Sequence, residues 1–224
     1  MGLTINYKIK VEGTKQQIAD RLIEIRSACL DKPFEEVSEV RSIIITKKMI
    51  DVYQFWQDYC FFPNNSVKNL AKRNQELLDL GVDIGLIVNL DVHGKLTPKR
   101  QIISLNLWPG KGCETFNINL IKNKTNNVWH CDNYCKTQYA EHFIRYHLLV
   151  INVLDMLKEK GFEIKVNDEG EYWTTRDLKI LAKNINEYTG ILVSIEKALK
   201  ESIKDTEMSV KCEIENSKNI IQIN

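Results

Sequence analysis

The stretch Trp129 to His147, WHCDNYCKTQYAEHFIRYH, holds Cys131, Cys135, His130, His142 and His147, the densest run of reactive side chains in the chain. Thiol chemistry is the first possibility. A helix running from about Lys136 to Lys160, capped by Asp132 or Asn133, would set Cys135 against the positive end of the helix dipole and unsatisfied amides, both of which favour thiolate. Its base cannot be His147, because twelve residues of straight helix separate the two by about 18 Å. That is far beyond hydrogen-bond reach. His130, His142 and His93 remain as bases, and an inert buried cysteine remains as the plain alternative. Metal chemistry fits less well. Zinc sites repeat a cysteine pair, whereas Cys131 and Cys135 have no second pair. His142 and His147, five apart, point about 140° away from each other on a helix. No metal and no cofactor is expected.

His147 belongs with a different partner. Its helix is expected to close at Gly161 and reverse into a strand, Phe162 to Asn167, lying antiparallel beside it. Six strand residues rise about 20 Å, as much as about thirteen helical residues, so the strand's end returns level with His147. Asp168 and Glu169 are therefore expected beside the imidazole. An unpaired buried imidazole is costly, so the pair reads either as a satisfied core histidine or as an acid–base pair. Tyr172, Trp173 and Arg176 follow in the same turn and are placed to wall a pocket.

The elements that position these groups read as follows. Leu3, Ile5, Tyr7 and Ile9 alternate as a strand. Thr14 and Gln17 form a capping box, and Ile18, Leu22, Ile25 and Cys29 recur at helical spacing until Lys32-Pro33. Val37, Val40 and Ile43 to Thr46 favour a strand, and the aromatic run Ile50 to Phe62 reads as a helix, with a buried strand as the alternative. Ser66 opens a helix that reaches Gly81. Three strands, Ile84 to Val92, Arg100 to Trp108 and Thr115 to Lys122, make an antiparallel meander joined by turns at His93-Gly94 and Pro109 to Gly112. After a polar loop come the helix carrying His147 and a second long helix. The second opens at a Thr174/Asp177 capping box and keeps an apolar three-four seam from Leu178 to Leu199. Met208 to Ile214 reads as a last strand. The expected fold is α+β, an antiparallel sheet with long C-terminal amphipathic helices on one face. It forms a single domain over 1–224, with an αβ part to about 124, a helix-rich part from about 125, and no linker between them.

Composition narrows the function. Thirty-one basic residues against thirty acidic leave a formal charge of +1, so no general field draws nucleic acid or an anionic membrane. No run reaches the roughly 18 apolar residues that span a bilayer, and the N-terminus lacks a signal-peptide core. Six cysteines are too sparse for a disulfide scaffold. A cytoplasmic protein with reduced thiols is expected. Pro109 to Gly112 is too short for a phosphate loop, and no serine elbow, HExxH or dinucleotide fingerprint is present.

The chain resembles a family of bacterial proteins of unassigned function. The likeness rests on Gly2-Leu3-Thr4 with Tyr7, on Trp108 to Glu114, on Trp129 with Cys135 to Ala140, and on Phe143, Arg145 and His147. It continues through Asp168 to Trp173 and Arg176, and spans residues 2 to about 200. Tyr146 stands where a cysteine is associated with that family, which argues against a nucleophile at that position. The resemblance implies no activity. Two functions stay open. One is a binding module for a protein or small ligand, using turns 108–114, 129–139 and 168–176 through Trp108, Glu114, Trp129, Gln138, Tyr139, Tyr172, Trp173 and Arg176. The other is a hydrolase or transferase with a His147–Asp168/Glu169 acid–base cluster or a Cys135 nucleophile.

Overall fold

A computed structural model describes residues 3–61, 75–80, 86–87, 96–137, 142–187 and 190. In chain order these form β1 (Thr4–Glu12), α1 (Lys15–Leu30), β2 (Glu36–Val37), β3 (Arg41–Ile44), α2 (Lys47–Phe61), β4 (Gln101–Trp108), β5 (Phe116–Lys122), β6 (Val128–Lys136), α3 (Phe143–Glu159), β7 (Glu163–Asp168) and the single turn α4 (Tyr172–Thr175). The described strands make one antiparallel sheet of order β2-β4-β5-β6-β1-β7, with β3 beside β2 on the same edge of β4. The α+β class is as the sequence predicts.

Residues on alternate sides of each strand face two different layers. Ile5, Tyr7, Ile9 and Val11 of β1 pack with Ile103, Leu105 and Leu107 of β4 and with Phe116, Ile118 and Leu120 of β5 against α1 and α3. From α1 the contacts come from Ile18, Leu22, Ile25 and Cys29, the spacing visible in the sequence. Each fully buried aliphatic side chain here contributes about 1.5–3 kcal/mol. The predicted capping box is present, with the Thr14 hydroxyl accepting from the Gln17 amide and the Gln17 side chain accepting from the Thr14 amide. On the opposite face, Ile43, Ile102 and Ile121 carry Met49 and Tyr53 of α2 together with Leu86 and Ile87.

Several elements differ from expectation. Leu86 and Ile87 are helical, so Ile84 to Val92 does not supply a meander strand at those positions. A short apolar run carries no period that separates strand from buried helix, and tertiary packing decided it. The meander is β4-β5-β6 instead. Val128 to Lys136 is its third strand, not a helix cap, and pairs with β1 over its whole length from Thr4↔Lys136 to Glu12↔Val128. The helix bearing His147 starts only at Phe143. The second C-terminal helix does not open at Thr174. Tyr172 to Thr175 is one turn, Arg176 is left-handed, and the helix resumes at 178–187 with the Asp177 side chain accepting from the Lys179 amide. The outer part of its seam, the Ser66 helix before residue 75 and the 208–214 strand lie outside the described residues. Strand β6 thus comes from the part expected to be helix-rich, and with β7, the strand predicted at Phe162 to Asn167, it flanks β1 in one sheet.

Between β5 and β6 the ladder opens. From the Lys122↔Trp129 pair to the Glu114–Lys136 contact, β5 carries one residue more than β6, the count of a bulge. The Tyr7 hydroxyl fills the gap, donating to the Asn117 carbonyl at 2.9 Å and accepting from the Asn117 amide at 3.2 Å. Burial, reinforced by the nearby Cys131 and Cys135 thiols, pushes that phenol well above its usual range.

Candidate functional site

The reversal that delivers Asp168 to His147 is built locally. At the end of α3, Gly161 is left-handed (φ +82°), its amide donates to Lys158, and the Phe162 amide reaches back to Leu157. This is the helix stop in which glycine avoids the Cβ penalty. Buried Phe162 and Leu157 lie at its two ends. β7 then runs antiparallel to β1 and ends at Asp168, opposite Ile5.

There the predicted pair is formed. His147 Nε2 lies 3.2 Å from an Asp168 carboxylate oxygen, and Nδ1 lies 3.2 Å from the Thr137 hydroxyl. The His147 and Asp168 side chains are 0% and 1% exposed, and Thr137 is fully buried. Asp168 also accepts from the Gly170 and Trp173 amides, both at 2.8 Å. Burial alone would push this carboxyl up. The hydrogen bond and charge of His147, with the Trp173 and Gly170 amides, outweigh it and hold the carboxyl below its usual value. The imidazole stacks on Phe143, ring centroids 5.3 Å apart. Gly170 is needed for close approach, because a Cβ there would come within 2.6 Å of Leu181 Cδ1 and 3.2 Å of His147 Cε1. Leu181 belongs to 178–187 and is itself fully buried.

Glu169, predicted beside Asp168 as a second acid for His147, turns the other way. Its side chain accepts from the Thr4 amide at 2.8 Å while its own amide donates to the Thr4 carbonyl, because successive residues of a strand point to opposite sides. It closes the sheet edge instead. Arg176 is left-handed and forms a bidentate pair with Asp155 of α3 at 2.7 and 2.8 Å, with its guanidinium 4.7 Å above the Trp173 ring and 5.9 Å from the Tyr172 ring. These three side chains wrap α3.

Cys135 requires a larger correction. It lies near the end of β6, fully buried, with its thiol donating to the Glu114 carbonyl at 3.2 Å, so no helix dipole acts on it. Burial, with Cys113 and Glu114 nearby, pushes the thiol well above its ordinary value. Burial likewise pushes Cys113 up to about 12. A neutral buried thiol is a poor nucleophile. In native protein at pH 7.5, Cys135 is therefore expected to resist iodoacetamide over hours and to label completely in urea, read by peptide mass. Rapid native labelling would restore the nucleophile.

Trp129 is core, fully buried with its indole N–H donating to the Gly13 carbonyl at 3.1 Å. Trp108 donates from its indole to the Cys113 carbonyl at 3.2 Å, and Glu114 accepts from the Lys136 amide at 3.1 Å. Gln138 and Tyr139 lie outside the described residues. In the sequence Thr137, Thr4 and Tyr7 are legible only as motif or strand positions, and none of them is given a partner. Thr137 follows Lys136 in a polar run and carries no periodic signal of its own.

One convergence is plain. Glu114 meets Lys136, Lys136 pairs with Thr4, Thr4 is clasped by Glu169, and Cys113 packs against the cluster of Tyr146 and Leu149 on the helix that carries His147. Segments 110–114, 136–137 and 168–176 thus meet at one end of the sheet. Among the described residues, no group of three or more His, Cys, Asp or Glu side chains is arranged to hold a metal ion, and no helix is long and apolar enough to cross a membrane. The chain matches no protein-family model, no curated protein and no solved structure.

Proposed function

We propose that the protein is a binding module whose ligand- or partner-facing surface is the sheet end formed by 110–114, 136–137 and 168–176, with His147 and Asp168 as its internal frame. The observation that carries this reading is the closure of the pair. Both imidazole nitrogens and both carboxylate oxygens already have protein partners, in a setting with almost no exposure. A hydroxyl–imidazole–carboxylate chain of this kind does acid–base work only where a substrate reaches it. Thr137, His147 and Asp168 are sealed from the surface, and what they do in this fold is hold distant chain segments in one place. The hydrolase or transferase alternative would also need a nucleophile, and Cys135 is neutral and buried.

Native mass spectrometry of the protein purified from the cells that make it tests the reading. An added mass is expected that is lost in the Lys111→Glu, Glu171→Lys double variant, whose two sites are exposed and whose melting should match wild type. A bare wild-type chain overturns the reading. Turnover of chromogenic esters or phosphate esters that disappears in His147→Gln would put the catalytic alternative in its place.

A further inference from the structure

At the opposite end of the sheet from His147, the start of β4 and the end of β5 border a half-open cavity of about 300 Å³. It is lined by two short segments, 97–101 and 122–124, that bring Lys99, Arg100, Lys122 and Lys124 together. Among the described residues, no carboxylate lines the cavity and none pairs with any of these four cations. In a chain with a formal charge of +1 this is a local concentration of positive charge that composition does not require.

Two further observations point the same way. The Thr97 hydroxyl and Arg100 Nε are the buried side-chain polar atoms without a hydrogen-bond partner among the described residues, and both residues line this cavity. Buried donors of this kind ordinarily have partners, and the exceptions call for an explanation. Arg100 is held in place, its Nη1 3.5 Å from the Lys122 carbonyl and its backbone bonded to Thr97 and Ile45. Lys99 is the other. It occupies the left-handed region (φ +65°) at the third position of the Thr97-Pro98-Lys99-Arg100 turn, where glycine or asparagine is the comfortable residue. Strain of this kind is kept where the side chain has a use.

We propose that this cavity binds an oxyanion, the phosphate group of a small molecule. Arg100 and the Thr97 hydroxyl supply fixed donors at the wall, and the exposed Lys99 and Lys124 close over the charge from solvent. A guanidinium fork suits phosphate geometry, and ammonium groups add charge without demanding direction. The small volume and the two short lining segments suit a small ligand better than a nucleic acid backbone, which needs a longer basic track.

Calorimetric titration at constant ionic strength tests the site with three probes: inorganic phosphate, phenyl phosphate and a single-stranded oligothymidine. Saturable one-site binding of phosphate is expected, with phenyl phosphate tighter if the natural ligand is an organic phosphate and equal if it is the free ion. Arg100→Gln should weaken phosphate at least tenfold. Because Arg100 is half-buried and its loss could unsettle the fold, the exposed pair Lys99→Gln, Lys124→Gln provides a second variant expected to weaken binding several-fold with unchanged melting. Lys99→Gly separates function from structure. It should melt higher, since the turn is relieved, yet bind phosphate more weakly. No saturable binding, affinity indifferent to these variants, or oligothymidine binding that phosphate does not compete overturns the proposal, the last in favour of a polyanion surface.

Discussion

Replacing Asp168 with alanine is expected to cost about 3–5 kcal/mol, the lower part of what three buried donors losing their acceptor add up to. Three groups lose their acceptor at once: the Gly170 amide, the Trp173 amide and the His147 imidazole. Each buried donor left without a partner costs about 1–3 kcal/mol. The damage spreads because Asp168 sets the turn into α4, and the Gly170 that it holds packs against Leu181. Asp168→Asn keeps an acceptor oxygen but no charge, so a smaller loss is expected. The pH dependence has a definite sign. The folded carboxyl lies below its unfolded value of about 3.9, so its stabilisation is fully present above that value and disappears as pH falls through the lower folded value. Urea melts from pH 3 to pH 7 should show a constant gap between wild type and Asp168→Asn above about pH 5, narrowing as acid is added. A gap that stays the same at pH 3, or none at pH 7, would refute the account of Asp168 as an ionised frame residue.

Trp129→Ala is expected to cost about as much, roughly 3–5 kcal/mol, through the cavity left by a large aromatic side chain. Trp129 packs in the main core, and its indole N–H holds the Gly13 carbonyl, tying the β1–α1 turn to the first residues of β6. The Gly13 amide is bonded to Asn127 next door, so the same loop is gripped twice. Trp129→Phe retains most of the apolar contact and loses the hydrogen bond, and should cost about 1–2 kcal/mol. The ordering, alanine well below phenylalanine and phenylalanine below wild type, is read from urea melts of the three proteins. A Trp129→Ala protein as stable as wild type would return Trp129 to the ligand-contacting role that its motif suggested.

Local signals determined a good part of this protein without any structure. The alternation of β1, the Thr14/Gln17 capping box, the Ile18-Leu22-Ile25-Cys29 stripe and the Gly161 stop each concern residues within a few positions of one another, where backbone sterics and hydrogen bonding act alone. His147 and Asp168 could also be brought together from the sequence, because one helix, one tight reversal and one strand have known rises and their lengths add. The start of that helix could not. Trp129, Cys131 and Cys135 do alternate with His130, Asp132 and Tyr134, a strand period, but Asp132 and Asn133 mimic a helix cap at the same place. What settles the matter is β1, more than a hundred residues earlier, which pairs with every residue of β6. A ladder between such distant segments leaves no trace in either one, and with it went the helix dipole that would have activated Cys135. The same holds for Glu169, whose partner is the Thr4 amide, and for the cations at 97–100 and 122–124, ordinary surface lysines and arginine until the β4–β5 register sets them around one cavity. The sequence therefore determined which side chains carry chemistry and how the local turns are made. Only the tertiary structure decided which of them are sealed into the interior and which stay at the surface, because burial and long-range pairing belong to the sheet as a whole.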